Sequence, residues 1–207
     1  MSKKDSYLSI TKTSEGFYKE KGSKFIAYAI PCDNESDAKT HLNQLWKDNH
    51  NACHVCFAWR FGKDEVSYKE RFSDDGEPSN SAGKPIFGQI QSYNVTNVLI
   101  AVVRYYGGTN LGVGGLIGAY KTSAKDALEQ AVLEERFISD YYMLKFEFSL
   151  TGVSMRMLKK AKASIVEQGY EGNLATVTFK IRTSNTNQLI EEFESLHGFE
   201  LKHLKTE

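Results

Sequence analysis

Residues 95–106 (Val-Thr-Asn-Val-Leu-Ile-Ala-Val-Val-Arg-Tyr-Tyr) run almost without a polar break into a stretch, 107–118, in which six residues are glycine. An apolar run without alternation reads as a central strand buried on both faces. The spacing then predicts a helix over 115–135, whose stripe is Leu116, Tyr120, Ala124, Leu128 and Ala131 or Val132. A buried strand, a glycine loop and a helix in that order turn free backbone N–H groups and the positive helix end toward an anion. Gly107, Gly108, Asn110, Gly112, Gly114 and Gly115 are the candidate donors, with Gly114 expected at positive φ; Arg104 and Tyr106 lead the strand into them. The same glycines also suit a tight turn and close helix-to-sheet packing. No Gly-Lys-Ser/Thr follows, and Gly112, Gly114 and Gly118 miss the dinucleotide spacing, so neither nucleotide-loop motif is present.

Around this centre the periodicities predict a strand over 24–30, a helix capped by Asp33 and ending near Asn49, and strands over 53–61 and 65–72 joined across Gly62, Lys63 and Asp64. In the 53–61 strand, Cys53, Val55, Phe57, Trp59 and Phe61 form the core face. His54, Cys56, Ala58 and Arg60 lie opposite, as a binding surface or a solvated one. Residues 73–85 form a loop, and Pro85 suits the start of a short helix. Past Asp140 the pattern restarts: strand 143–151, helix 154–168, a short strand near Tyr170, strand 174–182, helix 185–197 and strand 199–204. That is the βαββαβ ferredoxin-like order. The expected domains are 1–138 and 142–207.

With 26 basic and 26 acidic residues the net charge is zero, and residues 1–140 (17 against 18) and 141–207 (9 against 8) are each balanced. No global field draws the chain onto nucleic acid or an anionic membrane, so any such binding is local. No window approaches 18 apolar residues and no apolar signal core follows the N-terminus, so the expectation is a cytoplasmic protein without a membrane partner. Three cysteines without an export signal point to reduced thiols. Cys53 and Cys56 fall on opposite strand faces, which argues against a shared metal, and neither metal nor cofactor is expected. In the loop, Asp74, Asp75 and Glu77 could hold magnesium or act as acid and base, and Ser79, Ser81 and Lys84 could meet a phosphate; such loops also serve simply as turns.

Several separated motifs now stand in order: Arg71-Phe72-Ser73-Asp74-Asp75-Gly76-Glu77-Pro78-Ser79, Ala82-Gly83-Lys84-Pro85, Arg104-Tyr105-Tyr106-Gly107-Gly108, Leu111-Gly112-Val113-Gly114-Gly115-Leu116 and Ala119-Tyr120. With Lys24-Phe25-Ile26-Ala27 and His54, Cys56, Ala58 and Arg60, they resemble the signature of the YigZ/IMPACT family up to about residue 137. The resemblance implies an α+β fold: an N-terminal sandwich like the second domain of ribosomal protein S five, then a ferredoxin-like domain similar to one of elongation factor G. It also implies eukaryotic relatives that regulate translation by restraining an amino-acid-starvation kinase. The chain departs from the family pattern at Asn110 (usually lysine), Val113 (threonine), Asn80 (glycine) and Val55 (histidine).

Three functions stay open at this stage. A non-enzymatic module binding RNA, the ribosome or a protein of the translation machinery would use Lys24, Arg60, Lys84, Arg104 and the glycine loop. An enzyme acting on a phosphorylated small molecule would hold magnesium at Asp74, Asp75 or Glu77. A regulator acting through protein contacts alone is the third. The motifs supply no nucleophile and base pair, which favours the first.

Overall fold

The computed structural model describes residues 5–207, and these divide into two compact units, 7–136 and 137–207, the latter with Asp5 and Ser6.

In the first unit the sequence's buried strand is β6 (Val98–Tyr105). Its β-branched residues sit at the centre of a five-stranded antiparallel sheet with β2 (Ser14–Glu20), β3 (Ser23–Pro31), β4 (His54–Phe61) and β5 (Lys69–Ser73), in the order β2-β3-β6-β4-β5. Helix α1 (Glu35–Asp48) covers one face, contributing Ala38, Leu42 and Leu45 against Val55, Trp59, Leu99 and Val103. Helices α2 (Gly83–Ser92) and α3 (Gly112–Glu129) cover the other, where Ile86, Ile90, Leu116, Tyr120 and Ala124 meet Phe25, Ala27, Cys56, Ala58 and Val102. Both faces of β4 are therefore core, correcting the expectation of one: Cys56 and Ala58 are fully buried. Small side chains there let the helices approach. The cap of α1 is Asn34 rather than Asp33, its side chain accepting from the Asp37 N–H at 3.0 Å.

Helix α3 starts and ends earlier than the sequence suggests. Residues 133–135, read as helix, belong instead to β7 (Leu133–Phe137), which pairs with β1 (Ser6–Ile10) in a two-stranded sheet.

The second unit is β8 (Ser139–Glu147), α4 (Thr151–Lys160), β9 (Ser164–Glu171), β10 (Leu174–Arg182), α5 (Thr183–Glu194) and β11 (Phe199–Thr206). Its sheet order β11-β8-β10-β9, antiparallel throughout, is the ferredoxin-like arrangement. The first strand runs 139–147 rather than 143–151. The first helix ends at Lys160, because Lys162 turns to φ +56° and releases residues 164–168 into β9. Leu144, Phe146, Val177 and Phe179 pack beneath Leu158, Leu189 and Phe193. Asp5 joins this unit: its carboxylate accepts from Arg182 at 2.7 and 2.8 Å and from the Ser184 N–H at 3.0 Å, and the guanidinium holds its carboxyl well below the usual range.

Candidate functional site

The antiparallel register sets Phe25 of β3, Arg104 of β6 and His54 of β4 side by side at one end of the sheet, on the face under α2 and α3. The next row inward is Ala27, Val102 and Cys56. Two loops close over this end. One follows β5 and carries Asp74, Asp75 and Glu77; the other follows β6 and carries the glycines.

The acidic loop turns its carboxylates inward. Asp74 Oδ1 accepts from the Ala82 N–H at 3.0 Å and the Gly83 N–H at 2.8 Å, and its Oδ2 accepts from Asn80 N–H at 2.8 Å. It thereby satisfies the start of α2, which lacks a side-chain cap of its own. Asp75 Oδ2 accepts from the Val55 N–H at 2.8 Å, and the Asp75 carbonyl lies 2.7 Å from His54 Nδ1. A carbonyl only accepts, so His54 Nδ1 carries a proton and Nε2 is its free nitrogen. Glu77 is buried. Its Oε1 accepts from Arg104 Nη1, also buried, and from the Tyr120 hydroxyl at 2.7 Å. The Cys56 thiol, 3.0 Å from the Asp74 carbonyl and 3.3 Å from the Tyr120 hydroxyl, has one proton to give to either. Burial pushes both that thiol and the Tyr120 phenol far above their ordinary values, and Glu77's charge adds to both, so each stays protonated. Beside them the Arg104 guanidinium packs against the Phe25 and Tyr106 rings at 5.5 and 5.7 Å, and its Nε has no partner.

The glycine loop has a structural end and an open end. At Gly107 a Cβ would stand 2.0 Å from the Gly22 carbonyl carbon, so the β2–β3 turn and this loop touch backbone to backbone. From Tyr106 to Gly114 every residue but Leu111 is exposed. Gly108 and Gly112 take φ of +84° and +71°, and nothing lies within 4 Å of a Cβ built there or on Gly114. Gly114 is helical and not at positive φ, because α3 begins at Gly112. No side chain caps α3 and no acid occupies its first turn. The Asn110 side chain accepts from the Tyr106 hydroxyl at 3.2 Å.

The proposed cations separate. Arg60 is buried six residues along β4 from His54, about 20 Å away; it pairs with Glu70 at 2.8 Å and stacks on Tyr68, so it is not a surface contact. Lys24 is exposed but alternates with Phe25, placing it on the α1 face rather than the face that α2 and α3 cover. Lys84 and Ser79 are exposed beside the acidic loop. Among the described residues no group of three His, Cys, Asp or Glu could hold a metal ion. Tyr120, read as a stripe residue, is the member that sequence reasoning missed; a tyrosine within an apolar stripe needs a partner for its hydroxyl, and that was its signal.

The model of the Impact N-terminal domain matches residues 21–128, which hold both loops and every residue of the buried network. The chain belongs to the IMPACT family. It is 35% identical to the IMPACT family member YigZ of Escherichia coli (strain K12), over 73% of this chain and 74% of that one. It is 32% identical to an IMPACT family member of Haemophilus influenzae, over 80% and 81%. A crystal structure of a hypothetical protein superposes with a TM-score of 0.70 at 26% identity, covering 97% of this chain and 98% of that one. Among the described residues no helix is long and apolar enough to cross a membrane.

Proposed function

We propose that this IMPACT-family chain is a non-enzymatic binding module of the translation machinery, which takes a phosphate of RNA or of the ribosome at the open end of the glycine loop. The observation that carries this reading is the start of α3. Three of its first four residues are glycine, with neither a side-chain cap nor an acid, and the strand that feeds the loop carries a buried Arg104 whose Nε is unpartnered. The acidic loop gives the enzymatic alternative no comparable support, since Asp74, Asp75 and Glu77 are spent on N–H groups, Arg104 and Tyr120. The translational role implied by the family resemblance supplies the setting.

The test is Gly114→Asp in the full chain. A carboxylate in the first turn favours the helix dipole while repelling an anion, so the melting temperature should hold or rise. Cosedimentation with purified ribosomes should weaken at least tenfold, on the order of the 1.5 to 3 kcal/mol carried by one charged hydrogen bond. Unchanged cosedimentation removes the loop from the interface.

A further inference from the structure

The ferredoxin-like sheet of the second unit buries one face beneath α4 and α5 and presents the other to solvent. Along β8, Tyr142, Leu144 and Phe146 are buried while Tyr141, Met143 and Lys145 alternate outward. The register fixes what stands beside them. Tyr141 lies opposite Lys180 of β10 on one side and Lys205 of β11 on the other, and Lys205 Nζ is 4.7 Å from the Tyr141 ring centre. In the next row Met143 lies between Thr178 and Lys202. A row further, Lys145 stands between Thr176 and Glu200 and is paired with Glu171 at 2.6 Å.

The face is therefore polarised although its unit is nearly neutral. One end balances its charges; the other sets an aromatic ring and a thioether among three exposed lysines. Lys205 pairs with Glu207 at 2.6 Å, whereas Lys180 and Lys202 have no ion-pair partner among the described residues. The geometry points to this end as a docking platform for a short single-stranded RNA segment. One base stacks on Tyr141, its flanking phosphates meet Lys180 and Lys202, and the Thr178 hydroxyl stands where a ribose 2′-hydroxyl can bond. Charge complementarity selects the occupant: an unpartnered lysine beside an aromatic ring, with a second in the next row, fits a base between phosphates better than an uncharged peptide. This surface lies in the other unit from the glycine loop and does not depend on it.

The experiment measures binding of a short labelled oligouridylate to the full chain by fluorescence anisotropy at low salt. Tyr141→Ala should weaken binding about tenfold or more, and Tyr141→Phe should stay within about twofold, since stacking needs the ring and not the hydroxyl. Lys180→Gln and Lys202→Gln should each flatten the slope of log affinity against log salt by about 0.7. Gly114→Asp should leave oligouridylate binding unchanged, which separates this proposal from the previous one. Parent-like binding by Tyr141→Ala overturns it, as does no binding by the parent, or equal binding of oligodeoxyuridylate or an acidic peptide. Should Tyr141→Ala fail to fold, the exposed Lys180→Gln/Lys202→Gln pair decides: an unchanged salt slope overturns the proposal.

Discussion

The two loops at the end of the first sheet carry the same polar promise in sequence and opposite roles in structure. The loop over 73–83 is rich in groups that could meet a ligand, yet its carboxylates are turned onto the protein. Asp74 holds the start of α2, Asp75 holds β4, and Glu77 compensates Arg104 under the sheet end. In the loop over 106–115 half the residues are glycine and no side chain caps the start of α3, which leaves backbone donors open. A polar side chain close to its own chain's unsatisfied N–H groups finds them first, so a cluster of acids is weaker support for a site than a helix start that no side chain caps.

The largest effect expected from this contrast is at Glu77. Replacing it with alanine leaves the buried Arg104 guanidinium without its counter-charge and should cost about 3–5 kcal/mol in denaturant unfolding. Adding Arg104→Met should recover much of that, because the cost belongs to the uncompensated charge; a double variant no more stable than Glu77→Ala would show that the network does not act as a unit. Next is Gly107→Ala. A methyl group 2.0 Å from the Gly22 backbone forces the two turns apart, so about 3 kcal/mol should be lost, marking this glycine as structural within an otherwise open loop. Asp74→Ala leaves three N–H groups without their acceptor, two of them at the start of α2, and should cost about 2–3 kcal/mol. If Asp74→Ala is silent in stability while weakening ribosome binding, the acidic loop is the interface and the contrast between the loops is reversed.

Legibility followed how local each signal was. The central strand β6 and the restart of the pattern past residue 140 were readable, because an unbroken apolar run and renewed periodicity survive any tertiary context. Strand β7 was not. Its Leu133-Glu-Glu-Arg-Phe137 favours helix and continues the pattern of α3, and only pairing with β1 makes it a strand. Residues 164–168 were lost in the same way, since the turn at Lys162 that frees them carries neither glycine nor proline. At the site, the sequence pointed to Arg104, His54 and the glycines but read Arg60 and Arg104 as surface contacts, and both are buried. Alternation along a strand says which residues share a face and says nothing of whether helices cover it. The inward bonds of Asp74 and Glu77 join positions whose proximity exists only after the sheet forms.

The smallest expected effect discriminates best within the glycine loop itself. In α3, Gly114 and Gly118 are helical, exposed and free of any atom within 4 Å of a Cβ, so the fold gives no steric reason for either to be glycine. Each should cost the helix about 1 kcal/mol relative to alanine, and Gly114→Ala and Gly118→Ala should each stabilise the chain by up to that amount in denaturant unfolding. Ribosome binding should then part them. Gly114 lies in the first turn, where a methyl group stands over the open donors, whereas Gly118 is one turn further along and past the reach of the helix start. Stabilisation in both variants with binding weakened only by Gly114→Ala means that the open backbone is retained for a ligand. Stabilisation in both with binding intact means that the loop's bareness has no role in binding. A loss of stability at Gly114 would instead place this glycine with Gly107, among those the fold requires.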